Sequence, residues 1–327
     1  MLYFLRKFNF PVLIIIIFIG ILLWFNNLSI PNSMPLFLNS SLMPLSDFFI
    51  KQLNYNSLLS QIIGFIFILL QAFYIIYLNK KFILLNTQTY LPVLIFILIT
   101  SIYKDLQLFH PVVITNFFLL LAYNKVFETY KKEIAFSNFF EASLFISIGS
   151  LFYFNFIFFI IFVWIGMIIL RPFYIREWIV SLIGLILPHL IIYAFYFLTD
   201  QYFIYFKLIS SNFLVSFTPI KWNIFYYIVY LLIILMIIIS TIHLFSGYNI
   251  KKIKARKYFL IILWSFPLII LLTALRPSAF AELFFLLSLP ISLILSNFFI
   301  TLKSKWTGEV MFALLLSSII LIQIFFE

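Results

Sequence analysis

At 327 residues, 65% hydrophobic and only 9% charged, the chain has too few charges to cover a soluble surface, since soluble domains are about a quarter charged. Its formal net charge of +11 lies between apolar stretches, where membrane topology accounts for it, so no nucleic-acid partner is expected. Cysteine is absent, which removes disulfides, thiolate metal sites and a cysteine nucleophile.

Apolar stretches long enough to cross about 30 Å of hydrocarbon recur along the chain. They do not alternate as barrel strands would: Tyr230 to Ile239 is apolar throughout. The expected fold is therefore all-α, a polytopic transmembrane helix bundle forming a single integral membrane domain over 1–327. Arg6 and Lys7 precede the apolar run Pro11–Phe25, and Asn26, Asn27, Leu28 and Ser29 offer no small-x-small cleavage pattern, so a retained signal anchor is expected over 10–26. Segment 27–57 follows, with Pro31, Pro35 and Pro44 around mixed stretches such as Leu42–Leu58. That pattern suits amphipathic helices lying on the outer leaflet. Spans are then expected at 58–79, 88–103 and 109–126.

Phe139–Leu170 is the ambiguous stretch. Its 32 residues would make one helix of about 48 Å, too long for an ordinary span. A break near Gly149–Asn155 divides it into 139–151 and 154–170. Further spans follow at 175–198, 222–246, 258–275, 279–301 and 307–326, with a second outer segment at 199–221. With the break, 16 of the 21 Lys and Arg residues fall on the inner side and 5 outside; without it the split is 10 to 11 and the positive-inside bias vanishes. The charges therefore favour about 11 spans, with the N-terminus in and the C-terminus out.

Only ten acidic residues exist, so an acid at a membrane edge stands out. Asn138 and Glu141 have the spacing of a capping box, and Glu309 follows Thr307 where a first turn favours an acid. Glu128 and Glu133 lie among Lys125, Lys131 and Lys132 on an inner segment that reads as a solvated face. On the outer side, Lys104, Asp105 and His110 share one short turn, Asp200 ends the span 175–198, and Arg276 and Glu282 frame the next-to-last span. Ser278 and Pro277 would suit an ordinary helix start there. Ionisable groups at a membrane edge are functional suspects. The catalytic candidates are Asp47, Asp105 and Glu282; those for substrate or head-group binding are Arg276, His110 and His189. His189 is mid-span after Pro188, where bonding to another helix is the plainer role. The three histidines lie at different depths, and no cofactor or metal motif occurs. Arg171, Arg176 and Trp178 read as interface anchors or a docking patch.

Two resemblances follow from these residues. Asn79-Lys80-Lys81-Phe82, Leu170-Arg171-Pro172-Phe173, Thr199-Asp200 and Arg276-Pro277-Ser278 resemble an uncharacterised family of bacterial multi-pass membrane proteins, which implies no activity. The layout is also similar, in architecture alone, to GT-C glycosyltransferases. That resemblance implies an acid in the first outer loop acting as base on a lipid-linked sugar; here only Asp47 matches, since 26–46 hold no Asp or Glu. The expected roles are handling of a lipid-linked or envelope glycan at the outer leaflet, a non-catalytic subunit of an envelope secretion or translocation assembly, and thirdly a transporter. The expected partners are the lipid bilayer and either a lipid-linked substrate or other envelope proteins.

Overall fold

The computed structural model describes residues 2–25, 42–53, 58–107, 109–213, 224–247 and 251–325, and among them every regular element is helical. The outer segment 27–57 is described only from residue 42 to 53, and 199–221 only to residue 213. In chain order the α-helices are α1 (Leu2–Leu5), α2 (Phe10–Phe25), α3 (Pro44–Leu53), α4 (Leu58–Phe82), α5 (Leu91–Thr100), α6 (Pro111–Glu128), α7 (Phe136–Ser150) and α8 (Ile160–Leu170). They continue with α9 (Ile175–Leu198), α10 (Tyr202–Phe213), α11 (Ile224–Ser246), α12 (Ile253–Leu275), α13 (Phe280–Leu286), α14 (Ser288–Thr301) and α15 (Lys305–Phe325). Short 3-10 turns occupy Lys104–Gln107, Phe154–Phe159 and Pro277–Ala279.

Each of the eleven apolar stretches is helical, and the break expected near Gly149–Asn155 lies between the end of α7 at Ser150 and the turn that opens at Phe154. Length separates these helices. Five (α4, α9, α11, α12 and α15) are long and apolar enough to cross a membrane, or six if α13 and α14 are one bent span. The protein is therefore a multi-helix membrane protein with apolar faces suited to lipid. α5, at 10 residues, is only about 15 Å long. All ten of its residues are buried, so it is a core element wrapped by its neighbours and not lipid-facing.

The bend between α13 and α14 is 52°. Pro290 sits in the first turn of α14 and has no N–H, so the Leu286 carbonyl loses its ordinary partner four residues on. α7 and α9 pack closely because Gly184 has no side chain: a Cβ there would lie 2.6 Å from the Phe140 carbonyl oxygen. The Ser147 hydroxyl crosses the same contact and donates to the Leu185 carbonyl at 2.6 Å.

Three helix-start readings need correction. α7 begins at Phe136 with Ala135 as N-cap and no side-chain cap, so Asn138 and Glu141 form no capping box. They face other helices: Glu141 pairs with Lys125 of α6 at 2.5 Å, and the Asn138 amide donates to Glu128 at 2.9 Å. Glu309 is past the first turn of α15, and its carboxylate accepts the Leu2 and Tyr3 N–H groups at 3.0 and 3.3 Å, holding α1 against α15. Ser278 does not cap α13; Ala279 occupies that position without a side-chain bond.

Candidate functional site

One end of the bundle gathers α3, the break after α7, the C-terminal half of α9, α10 and the junction of α12 with α13. The amide of Leu45 on α3 donates to the Leu151 carbonyl in the break at 3.3 Å. Met43, Leu151 and Phe154 form a small buried cluster, packed against Ile192 of α9 and Ile209 of α10. Two short helices at the surface thus rest on one irregular turn.

Arg276 is the buried cation of this end, only 8% exposed. The α12 helix ends beneath it, and Pro277 opens the 3-10 turn that follows. Its guanidinium donates to the Asn155 side-chain oxygen and lies 5.7 Å from the ring centroids of Phe154 and Phe158. The Asn155 amide in turn donates to the Tyr153 hydroxyl at 2.9 Å. Tyr153 is within electrostatic reach of both Glu282 and Arg276. Burial, and then the Glu282 carboxylate, push the Tyr153 hydroxyl well above its ordinary pKa, so it remains neutral. Burial lowers the Arg276 pKa, but guanidinium starts so high that it stays charged. Arg276 and Glu282 therefore both lie within electrostatic reach of Tyr153, and Asn155 links Tyr153 to Arg276. Sequence reading saw Tyr153 and Asn155 only as part of a break.

The other candidates go elsewhere. Asp47 sits on α3 and pairs with Lys51 one turn on at 2.6 Å, with side chains 40% and 73% exposed. The Asp47 hydrogen bond raises the Lys51 amine pKa, as expected for a surface pair. Asp105 lies in the Lys104–Gln107 turn, and its side chain is outside the described residues. His110 is buried and caps α6: its Nδ1 accepts the Val112 N–H at 3.1 Å, with Pro111 as the first helical residue. Asp200 takes φ 55° just past α9, and the Gln201 N–H returns to the Tyr196 carbonyl at 2.8 Å, so it serves as a helix stop.

His189 joins three helices. Ser150 donates its hydroxyl proton to the Ser147 carbonyl at 2.7 Å. His189 Nε2, 2.8 Å from the Ser150 oxygen, must then be the donor there. That leaves Nδ1 to accept from the Tyr205 hydroxyl at 2.7 Å. A neutral imidazole thereby bolts α10 to α9 and α7.

At the opposite end, Arg171 and Glu177 form an ion pair at 3.0 Å, with side chains only 4% and 3% exposed. Arg171 also donates to the Lys132 and Glu133 carbonyls at 2.5 and 2.9 Å. The pair closes the loop between α6 and α7 onto the start of α9. Trp178 packs beside it in tilted contacts with Trp164 and Phe173, at 5.7 and 5.8 Å between ring centroids, while Arg176 is exposed. Glu128 is not merely on a solvated face. It pairs with Lys81, which also donates to Asn124 at 3.0 Å, while Lys132 donates to Asn138 at 3.0 Å. Lys251 is buried, donates to Asn297 at 2.5 Å and lies 4.7 Å from the Phe259 ring centroid; burial lowers its amine pKa to about 8. No signal in the local sequence marks the partners of Lys81 and Lys251, because those bonds join residues 43 to 47 positions apart. Among the described residues, no group of three or more His, Cys, Asp or Glu is placed to hold a metal.

A cavity of about 410 Å³ lies beside the break, lined by Phe49, Ile63, Phe67, Phe109, Ile114 and Phe118, with Phe117 and Phe152 completing it. No acid reaches its wall.

No curated protein and no solved structure matches the chain. One family model does, over residues 25–327, and its description is a family of unknown function (DUF6427).

Proposed function

The chain belongs to that family, and we propose that it is a multi-pass protein of a bacterial inner membrane that handles a lipid-linked or envelope glycan at the outer leaflet. The observation that carries this reading is the cluster of Arg276, Asn155, Tyr153 and Glu282 at the end of the bundle where α3 and α10 meet the break. The distribution of Lys and Arg supports about eleven passes with this end outside, the N-terminus in and the C-terminus out. A planar guanidinium suits a phosphate-bearing head group through two parallel hydrogen bonds. Glu282, which like Arg276 lies within electrostatic reach of Tyr153, takes the role of base in a GT-C-like transfer. Asp47, held by Lys51 on an exposed face, is the weaker candidate for that role.

A second reading is a non-catalytic subunit of an envelope secretion or translocation assembly. It is favoured by α9, whose apolar window is only 17% buried against 33–44% for the other long spans. Such a face suits a partner helix as well as it suits lipid.

The test is complementation of a deletion strain, with membrane levels as the control. Glu282→Gln is expected to reduce function by about a hundredfold or more, the usual weight of a positioned acid or base. Arg276→Lys should also be damaging, since it keeps the charge and loses the fork. Asp200→Asn should be silent, because asparagine tolerates the same left-handed backbone. Full complementation by Asp47→Asn, Asp105→Asn, Asp200→Asn and Glu282→Gln alike would end the catalytic reading in favour of the subunit.

A further inference from the structure

The cavity beside the break is walled by side chains that carry no polar group, so a water inside it would find none of the two to four polar partners it needs. The cavity is partly open to the outside, so an apolar group can enter it from the surrounding medium. Its roughly 410 Å³ falls within the range of ligand pockets, about 300–1,000 Å³, and far exceeds the roughly 150 Å³ of an apolar cavity that already binds benzene. Its rings partly satisfy one another: Phe49 lies 5.7 Å from Phe152, Phe67 lies 5.9 Å from Phe109, and Phe118 stacks on Phe152 at 6.1 Å. They still leave the space between them open.

The neighbouring surface names the occupant. Ile63 and Phe67 of the cavity wall share α4 with Ile66, Leu70 and Phe73, which are 48%, 50% and 45% exposed. Phe48, next to Phe49 on α3, is 55% exposed. The wall thus continues into an outward apolar row of a membrane helix, and the medium beyond that row is hydrocarbon. We propose that the cavity receives one acyl chain of a bilayer phospholipid from the leaflet on which α3 lies, so that α3 acts as the cover of a built lipid site. This rests on the chain's being membrane-embedded and not on the glycan reading.

The test uses the full-length protein in nanodiscs of phosphatidylethanolamine doped with a phospholipid bearing a diazirine at one acyl terminus. After photolysis, adducts are mapped by mass spectrometry. Adducts on the segments holding Phe109, Phe118 and Phe152 are expected to exceed severalfold those on Ile186, Leu190 and Ile191, the exposed residues of that part of α9. Ile63→Trp, which fills the space, should bring them down to that background; Phe118→Trp is the second filling variant if the first does not fold. Adducts at background in the wild type would mean that the chain's own segment or nothing fills the cavity, and would overturn the proposal. So would adducts unchanged in a stably folded filled variant. Displacement of the probe by added polyprenyl phosphate but not by excess phospholipid would overturn the occupant named here.

Discussion

Glu177→Gln is expected to cost about 3–5 kcal/mol, the usual effect of removing one partner from a buried ion pair. The physical reason is the orphaned Arg171 guanidinium, whose side chain is 4% exposed and can recover little water. Arg171→Ala should cost as much, because it strands the carboxylate and also releases the Lys132 and Glu133 carbonyls. Against a total stability of about 5–15 kcal/mol, either loss should sharply lower the amount of protein that accumulates in membranes. The paired change Arg171→Met with Glu177→Leu should recover most of the loss, since replacing both charges removes the desolvation penalty, and the freed carbonyls lie at an exposed loop. Thermal unfolding in detergent and membrane levels check both arms. Equal losses in the single and paired variants would mean that the ion pair is not what holds the α6–α7 loop to α9.

Gly184→Val carries the next largest effect. Even the first added carbon would lie 2.6 Å from the Phe140 carbonyl, a backbone atom that cannot rotate away, and 3.2 Å from Ser143 Cβ. α7 and α9 must separate, at about 1–3 kcal/mol for ordinary overpacking and more for a branched side chain. The separation also lengthens two bonds across the same seam, from Ser147 to the Leu185 carbonyl and from His189 to Ser150. α10 should loosen with them, since Tyr205 is held by the other nitrogen of His189. Gly247→Ala is the control: a Cβ there meets only the His243 carbonyl at 3.7 Å, so its unfolding midpoint should match that of the wild type.

These two sites show how much of the fold was legible in the sequence. The helices were, because long apolar runs bounded by Lys, Arg and Pro leave the backbone no other way to satisfy itself in hydrocarbon. The break between α7 and α8 was legible from length and charge together. The full burial of α5 was not: Leu91–Thr100 has the same composition as a lipid-facing helix, and lipid and protein interior demand the same side chains. Asn138 and Glu141 were misread because a polar residue early in a helix serves equally to cap it or to reach a neighbour. The candidate site was half legible. Arg276 and Glu282 stood out as rare charges, but Asn155 lies 121 positions from Arg276, and nothing local in the sequence links them. His189, singled out for its depth, bridges α7 and α10 instead of facing an open space.

On the proposed topology the end bearing α3, α10 and Arg276 faces outward, with Arg171 and Glu177 at the inner side. Because the chain contains no cysteine, single cysteines can report this directly. Gln201, between α9 and α10, and Arg176, at the start of α9, are both exposed and lie at opposite ends of one helix. In intact cells stripped of the outer barrier, a membrane-impermeant maleimide is expected to label Gln201→Cys at once, and Arg176→Cys only after the inner membrane is permeabilised. Labelling of Arg176→Cys with protection of Gln201→Cys, or labelling of both from one side, would contradict the account.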